Sequence, residues 1–415
     1  MKGKQLGILV VAAAVLGGLG WYVRNQGARE PEKARLGMGE KLLGNFDVNS
    51  VGALRIIAGT NAVNVALSGD KWIVKERGGY PANFATVAEF VRKLGELKVT
   101  KPLNIGASRL AALELVAPDK GPGVLIELLG SDGKLVKSVL LGKKVMRDAP
   151  ENPQFGGGGP FPVGRYVMVG SDVKTAAVVN DALGGSEAKP EDWLAKDFFK
   201  VEPPLLSVSV VKPEPTNSFH LTRTNEVSAW ELAETKGEEK LDAGKVTPFS
   251  TLLGAPAFND VVVSPDLAAL GLDKPTTATV RTTAGFTYEI KLGKEQGASG
   301  DIPLQISVKG ELTKERTPGK DEKPEDKEKL DKEFKEKLAK LEEKLKTESE
   351  FSKWTFLISK WSIDPLLKNR HELLVDKKAD AAAGGPGAAP GLPAGLPPGI
   401  PGLPDGFPPL NLDDK

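Results

Sequence analysis

Apolar and polar residues alternate with a period of two along much of the chain, a pattern typical of half-buried β-strands. The first such stretch comprises Leu54–Ile57, residues 63–67 and Trp72–Val74, and the short connections between them predict a meander of strands. Over residues 84–97 the apolar residues instead recur at helical spacing, directly after Asn83, a residue type that caps helix N-termini. The pattern therefore predicts several strands followed by one amphipathic helix.

The strand pattern resumes after this helix. Residues 124–129 and 135–141 predict a hairpin that turns at Ser131-Asp132-Gly133. Tyr166–Val169 predicts a further strand, and residues 173–183 predict a short helix.

The second half of the core repeats the order of these landmarks. Leu205–Val211 takes the place of Leu54–Ile57, and Trp230 takes the place of Trp72. The other matches, each given as the first copy and then the second, are 84–97 with Val246–Leu253, Leu113–Val116 with Leu270–Asp273, 124–141 with 280–292, Leu141-Gly142-Lys143 with Leu292-Gly293-Lys294, and Tyr166–Val169 with Trp354–Ile358. The predicted fold class is α+β, with two related strand-rich repeats and short helices.

Residues 1–44 are predicted to form a membrane anchor and a linker. Residues 6–23 carry no charge and would span about 27 Å as a helix, close to the hydrocarbon thickness of about 30 Å. Trp21 and Tyr22 lie at the end of this segment, where aromatic rings favour the membrane interface. We predict one transmembrane helix ahead of the repeats; a cleaved signal peptide and a buried soluble helix are the alternatives. The short tail before the span and the absence of cysteine favour a single-pass protein of the cell membrane with its bulk in the periplasm.

The repeats are predicted to occupy residues 45–203 and 204–376, and a Pro/Gly-rich tail follows at 377–415. The triplet Gly-Leu-Pro recurs in this tail at 391–393, 395–397 and 402–404. Proline fixes φ and removes a hydrogen-bond donor, so the composition predicts a disordered tail with polyproline-II segments. A ligand for an aromatic groove and a spacer across the cell wall are the alternatives.

A charged insert, residues 320–350, interrupts the second repeat. It contains 12 acidic and 10 basic residues, and acids precede bases at i,i+4, a spacing that stabilises a helix by about 0.2–0.5 kcal/mol per pair. A thin apolar stripe runs along the predicted helix: Leu330, Phe334, Leu338, Leu341 and Leu345. The stripe covers about two heptads, fewer than a coiled-coil assignment needs. It predicts either a helix that rests on its own domain or one that binds a partner, and these five residues are the candidate partner-binding stripe.

Composition restricts the possible chemistry. The net charge is +1, and the chain has no cysteine and two histidines. The missing thiols exclude disulfides, thiolate zinc sites and cysteine nucleophiles, and the near-neutral charge argues against a nucleic-acid partner. His220 and His371 have no second histidine at ligand spacing, and the glycines 156–159 lead into proline rather than into a phosphate loop. Trp72 and Trp230 are predicted as core residues rather than as stacking platforms. We therefore predict no catalytic residue, no metal and no cofactor.

Several landmarks resemble the bacterial domain-of-unknown-function 4340 family. The matching motifs are Ser68-Gly69-Asp70-Lys71-Trp72-Ile73-Val74, Tyr80-Pro81-Ala82, Leu113-Glu114-Leu115 and Val139-Leu140-Leu141-Gly142. The resemblance implies an N-terminal anchor, strand-rich repeats and an accessory role beside gliding-motility-type ABC transport systems, and it supplies no catalytic residues. The charged insert and the Gly-Leu-Pro tail depart from the family pattern.

The sequence as a whole predicts a membrane-anchored extracytoplasmic scaffold of an ABC-type transport or motility complex, acting by protein–protein binding and not as an enzyme. Its expected partners are the membrane, through residues 6–23, and subunits of the transport complex. The alternatives are a module that binds envelope glycan or peptidoglycan, and a hydrolase whose site is assembled in space.

Overall fold

The computed structural model describes residues 35–148, 159–318 and 322–375. Over these residues the strands are β1 Val51–Ala58, β2 Asn61–Ser68, β3 Lys71–Val74, β4 Tyr80–Pro81, β5 Val99–Pro102, β6 Val124–Gly130, β7 Leu135–Asp148, β8 Pro160–Val169, β9 Ala177–Val179, β10 Leu205–Val211, β11 Phe219–Thr222, β12 Glu231–Leu232, β13 Phe258–Val262, β14 Thr276–Thr282, β15 Phe286–Leu292, β16 Asp301–Gly310 and β17 Thr355–Ser359. The α-helices are α1 Phe84–Glu96, α2 Ala243–Val246, α3 Pro324–Ser349 and α4 Asp364–Leu367.

These strands form two antiparallel sheets. The order in the first is β4-β3-β2-β1-β6-β7-β8-β9-β5, and the order in the second is β12-β11-β10-β14-β15-β16-β17-β13. The predicted strand-rich fold with short helices is thus confirmed. The start of α1 is also as predicted, because the side chain of Asn83 accepts a hydrogen bond from the backbone N–H of Thr86 at 3.2 Å.

The two sheets share one topology. Apart from β4, each strand of the first sheet has a counterpart at the same place in the second. The irregularities recur as well: the register shifts after Val51 in β1 and Leu205 in β10, and again after Val99 in β5 and Phe258 in β13. Bulges are specific features of a fold rather than defects, so their recurrence supports the internal repeat.

A close backbone approach is also repeated. A Cβ at Gly142 would lie 2.2 Å from the carbonyl oxygen of Leu113, and a Cβ at Gly293 would lie 2.2 Å from that of Leu270. No side chain fits in such a space. The residue after each leucine has a left-handed backbone, with φ of 58° and 69°. This packing explains why glycine follows the last paired leucine of both hairpins, in Leu-Gly-Lys, although β7 itself continues to Asp148.

Two sequence predictions are wrong in detail. Residues 173–183 do not form a helix: a single 3-10 turn leads into β9, because the β-branched Val178 and Val179 pair with β8. The match of Trp354–Ile358 with Tyr166–Val169 also fails, since β17 occupies the place of β9 and β16 that of β8. The charged insert obscures this relation because it separates two strands that are neighbours in the sheet.

One continuous hydrophobic core extends through both repeats. In the first repeat α1 contributes its apolar face, and in the second α2 and the turn after it occupy the equivalent position. The buried residues of these elements are Val87, Phe90, Val91, Leu94, Val246 and Phe249. A smaller cluster forms around Leu115, Leu140, Met168 and Ala176.

The predicted anchor at 6–23, the tail at 377–415 and the glycines 156–158 lie outside the described residues. Within the part of the chain that the structure describes, no helix combines the length and the apolar character that a membrane span requires.

Candidate functional site

The charged insert forms α3, a helix of 26 residues between β16 and β17. All five side chains of the candidate partner-binding stripe are half-buried. Leu341 and Leu345 pack against the core, whereas Leu330, Phe334 and Leu338 are not among the described side chains that contact it. The five residues therefore form two groups. Leu341 and Leu345 pack on the core, and Leu330, Phe334 and Leu338 are called the N-terminal stripe.

Leu345 sets how closely α3 packs on the second sheet, because it contacts the last residue of β16. A Cβ at Gly310, the last residue of β16, would lie 2.7 Å from Cδ2 of Leu345. A side chain at position 310 would displace the end of the leucine side chain, so the helix packs directly on the end of β16.

A buried carboxylate holds the same end of α3. Glu348 is 5% exposed. It accepts hydrogen bonds from the backbone N–H of Lys200 at 2.9 Å, from Tyr288 Oη at 2.9 Å and from Lys344 Nζ at 2.7 Å. Burial, and then the neighbouring carboxylate of Glu348, raise the pKa of Tyr288 above its ordinary value. Since a buried charge is tolerated only with such partners, this network links α3 firmly to the end of the first repeat, at Lys200, and to the second sheet, at Tyr288.

An arginine connects the beginning of α3 to the segment before it. Arg316 Nε donates to Asp331 Oδ1 at 2.7 Å, and Arg316 Nη1 donates to Glu322 Oε2 at 2.5 Å. These hydrogen bonds, first to Glu322 and then to Asp331, raise the pKa of Arg316. The first turns of α3 are thus held by polar contacts, while its last turns are held by the core.

An inter-repeat cleft of about 600 Å³ opens beside the last turns of α3. Both repeats line it, and its main side chains are Lys71, Tyr80, Asp197, Lys346, Glu350 and Trp354. The rings of Tyr80 and Trp354 meet edge to face with centroids 5.1 Å apart. Burial, and then the charge of Asp197, raise the pKa of Tyr80. The hydrogen bond from Lys353 lowers the pKa of Glu350. The cleft therefore offers aromatic surface together with both signs of charge.

A salt bridge joins the repeats next to this cleft. Arg77 binds Asp260 through Nε at 2.6 Å and Nη2 at 2.8 Å, and its Nη2 also donates to Glu191 at 3.2 Å. The hydrogen bond to Asp260 raises the pKa of Arg77. Two parallel bonds of this kind give an ion pair a defined geometry, so the contact sets the relative placement of the two sheets.

The residues considered for chemistry lie on different elements of the fold. His220 is exposed on β11, and His371 is exposed in the turn after α4. Trp230 is buried, with Nε1 donating to Ser250 Oγ at 3.3 Å, whereas Trp72 is half-buried against the core. Among the residues that the structure describes, no three histidine, aspartate or glutamate side chains are placed to hold a metal ion.

Sequence reasoning missed three polar residues that join distant parts of the chain, which are Arg77, Asp260 and Glu348. Their partners are distant along the chain, since Asp260 follows Arg77 by 183 positions in sequence, so no local pattern distinguishes them. The sequence indicates Tyr80 only as part of the motif Tyr80-Pro81-Ala82. Its place in the inter-repeat cleft depends on the packing of one repeat against the other, which the motif does not contain.

Comparison with known proteins adds one finding. Residues 72–275 match the family model described as a domain of unknown function, DUF4340. The match begins in β3 and ends just before β14, so it includes parts of both repeats. No curated protein and no solved structure matches the chain. The resemblance of this chain to the DUF4340 family is therefore supported over residues 72–275.

Proposed function

We propose that the chain is a membrane-anchored extracytoplasmic scaffold that works by protein–protein binding rather than by catalysis. The apolar segment 6–23 is the proposed anchor. The partner is a subunit of an ABC-type transport or motility complex, a choice that rests on the resemblance to the DUF4340 family. The N-terminal stripe of α3 supplies the contact.

The way α3 is held is the observation that carries this proposal. A helix of 26 residues is about 39 Å long, and of its described side chains only Leu341 and Leu345, in the last turns, pack against the core. The N-terminal stripe continues the same apolar face beyond the core. Apolar side chains at i, i+4 and i+8 on a charged helix are the anchors by which helices bind grooves in partner proteins.

Crosslinking in native membranes tests the partner. A photoreactive phenylalanine analogue replaces Phe334 in the full chain, and the crosslinked proteins are identified by mass spectrometry. We expect a transport subunit. The matched control has the analogue at Glu336, which is exposed and lies about 200° around the helix from Phe334. If position 334 captures no transport subunit under several growth conditions, or captures it no better than position 336, the partner assignment is wrong.

Substitutions in the stripe test the contact separately from folding. The triple change Leu330→Ser, Phe334→Ser and Leu338→Ser should reduce recovery of the partner by about tenfold or more, because three apolar anchors are lost. Thermal unfolding should change little, since these residues lie outside the core. Leu341→Ser is the control with the opposite expectation, a lower unfolding temperature, because Leu341 packs on the core.

The inter-repeat cleft favours a second candidate function, binding of an envelope glycan. Its aromatic side chains and carboxylates are the groups that polar, ring-shaped ligands contact in such concave sites. A pull-down with insoluble peptidoglycan and other envelope polysaccharides tests this function. Trp354→Ala should abolish binding, and Trp361→Ala, which changes an exposed tryptophan outside the cleft, should retain it. Equal binding by the two variants would eliminate the cleft as a glycan site.

A further inference from the structure

A second concave surface, the aromatic groove, lies on the first repeat between α1 and the strands β2 and β3. Its volume is about 250 Å³. The residues that define it are Val48, Asn49, Leu67, Trp72, Phe84 and Val91. Phe84 is 62% exposed and Leu67 is 45% exposed, although both are large apolar side chains. Apolar residues that cluster around a groove and remain exposed mark a binding surface more often than a structural one.

The groove also contains two hydrogen-bond donors. The indole N–H of Trp72 and the side-chain amide of Asn49 make no hydrogen bond to any residue that the structure describes. The other side chains that define the groove have no polar atoms. A matching ligand therefore offers apolar side chains to the groove and acceptor oxygens to these two donors.

A polyproline-II segment has this chemistry. It makes no internal hydrogen bonds, so its carbonyl groups are free to accept. Aromatic-lined grooves bind such segments with a small entropic cost, because the ligand is extended before it binds. Leucine next to proline adds the apolar side chains that fill the spaces between the rings.

We propose that the aromatic groove binds the Gly-Leu-Pro segment of the same chain, residues 391–404. This segment contains the three triplets, and its large apolar side chains are Leu392, Leu396, Ile400 and Leu403. It carries no charged residue, which suits a groove without charged side chains. The inference is independent of the proposed scaffold function, because it concerns a different surface and a different segment.

The length of chain after the last described residue is sufficient for this contact. Val375 donates its backbone N–H to Lys240, in the segment that follows β12. From β12 to β13 the second sheet spans about 34 Å at about 4.8 Å per strand. β13 meets β4 through the rings of Phe258 and Tyr80, 5.7 Å apart, and β2 is two strands further. Residues 376–394 would cover about 59 Å in a polyproline-II conformation at about 3.1 Å per residue, so the segment 391–404 reaches the groove.

Site-specific crosslinking in the purified full-length chain tests the proposal. A photoreactive phenylalanine analogue replaces Phe84, and mass spectrometry locates the crosslinked peptide. We expect it to fall within 391–404. The matched control has the analogue at Trp361, an aromatic residue that is 74% exposed and outside the groove. Crosslinks from position 84 only to other segments, or equal crosslinking of the tail from position 361, would overturn the proposal.

Two further measurements identify the contact and the copy that makes it. Leu392→Ser, Leu396→Ser and Leu403→Ser together should lower the crosslink yield about tenfold or more, whereas Leu410→Ser with Leu412→Ser, outside the triplets, should not. An unchanged yield in the triplet variant would refute the assignment of the segment. Crosslinking a mixture of isotopically heavy and light chains should give only light–light and heavy–heavy products. Mixed products would show that the groove binds the tail of a second copy and would overturn the intramolecular contact.

Discussion

At the scale of the residue, Glu348 differs from its neighbours on α3 through its surroundings and not through its sequence. Glu343 and Glu350 are exposed, whereas Glu348 is buried. Its donors include Lys200 and Tyr288, which lie 148 and 60 residues away along the chain. The sequence predicts a charged helix correctly, but it contains no signal for which carboxylate is buried, because that depends on where the helix docks.

Replacing Glu348 by alanine should lower the free energy of unfolding by about 3 kcal/mol, because three donors, one of them the Lys344 ammonium, lose their buried acceptor. Urea unfolding measures the change. The control is Glu343→Ala on the same helix, where an exposed side chain should contribute within about 0.5 kcal/mol. Similar losses in both variants would show that the network around Glu348 does not hold the helix.

Tyr288 adds a dependence on pH. Its pKa in the folded protein is raised above the ordinary value of about 10, first by burial and then by Glu348. Its contribution to stability is therefore complete below pH 10 or so and is lost as the pH rises through the folded-state pKa. We expect the stability difference between the wild type and Tyr288→Phe to narrow above about pH 10.

Urea unfolding of both proteins at a series of alkaline pH values measures this difference. Glu343→Ala, followed over the same range, controls for general effects of alkali because it leaves Tyr288 and its partners in place. A difference between wild type and Tyr288→Phe that stays constant or widens with pH would contradict the prediction.

At the scale of the element, the sequence predicts what short-range patterns determine. The helix α1, the hairpin of β6 and β7, and the helix α3 all appear where periodicity and turn residues place them. The helix predicted over residues 173–183 is wrong because Asp172, which caps the 3-10 turn, precedes an apolar run and so resembles a helix start. The strand β9 forms instead because it pairs with β8 and β5. The predicted match of Trp354–Ile358 with Tyr166–Val169 is also wrong. α3 separates β17 from β16 in sequence, although the two strands are neighbours in the sheet.

The paired glycines Gly142 and Gly293 make the internal repeat testable. Each should tolerate no side chain, because a Cβ would lie 2.2 Å from a carbonyl oxygen. We expect Gly142→Ala and Gly293→Ala each to lower the free energy of unfolding by about 2–3 kcal/mol. Gly184→Ala is the control, since its Cβ would meet nothing within 4 Å. If one of the two substitutions changed the free energy of unfolding by close to zero, the two glycines would not be equivalent in packing.

At the scale of the whole molecule, the two repeats are joined by a shared core and by the salt bridge of Arg77 and Asp260. Neither the salt bridge nor the inter-repeat cleft could be predicted from sequence, because both depend on how one sheet packs beside the other. The internal repeat does not predict this interface either, because different parts of the two repeats meet in it. The β4 edge of the first sheet contacts the β13 edge of the second.

A double-mutant cycle measures the coupling across this interface. Arg77→Ala, Asp260→Ala and the double variant should give a coupling free energy of about 1–2 kcal/mol in urea unfolding, since both side chains are mostly buried. The matched cycle uses Arg55 and Glu127, an ion pair 3.4 Å long within the first sheet, where a more exposed arginine should give at most about 1 kcal/mol. A coupling near zero for Arg77 and Asp260 would mean that the shared core alone joins the repeats.

The position of α3 between two adjacent strands has a practical consequence for protein engineering. β16 and β17 are hydrogen-bonded neighbours, with Leu304 opposite Phe356, and the first repeat connects the equivalent strands with a short turn. The chain therefore leaves the second sheet from β16 and returns to it in the adjacent strand. We expect the first turns of α3, before Leu341, to accept an inserted fluorescent protein or affinity tag while both sheets and the Glu348 network stay intact.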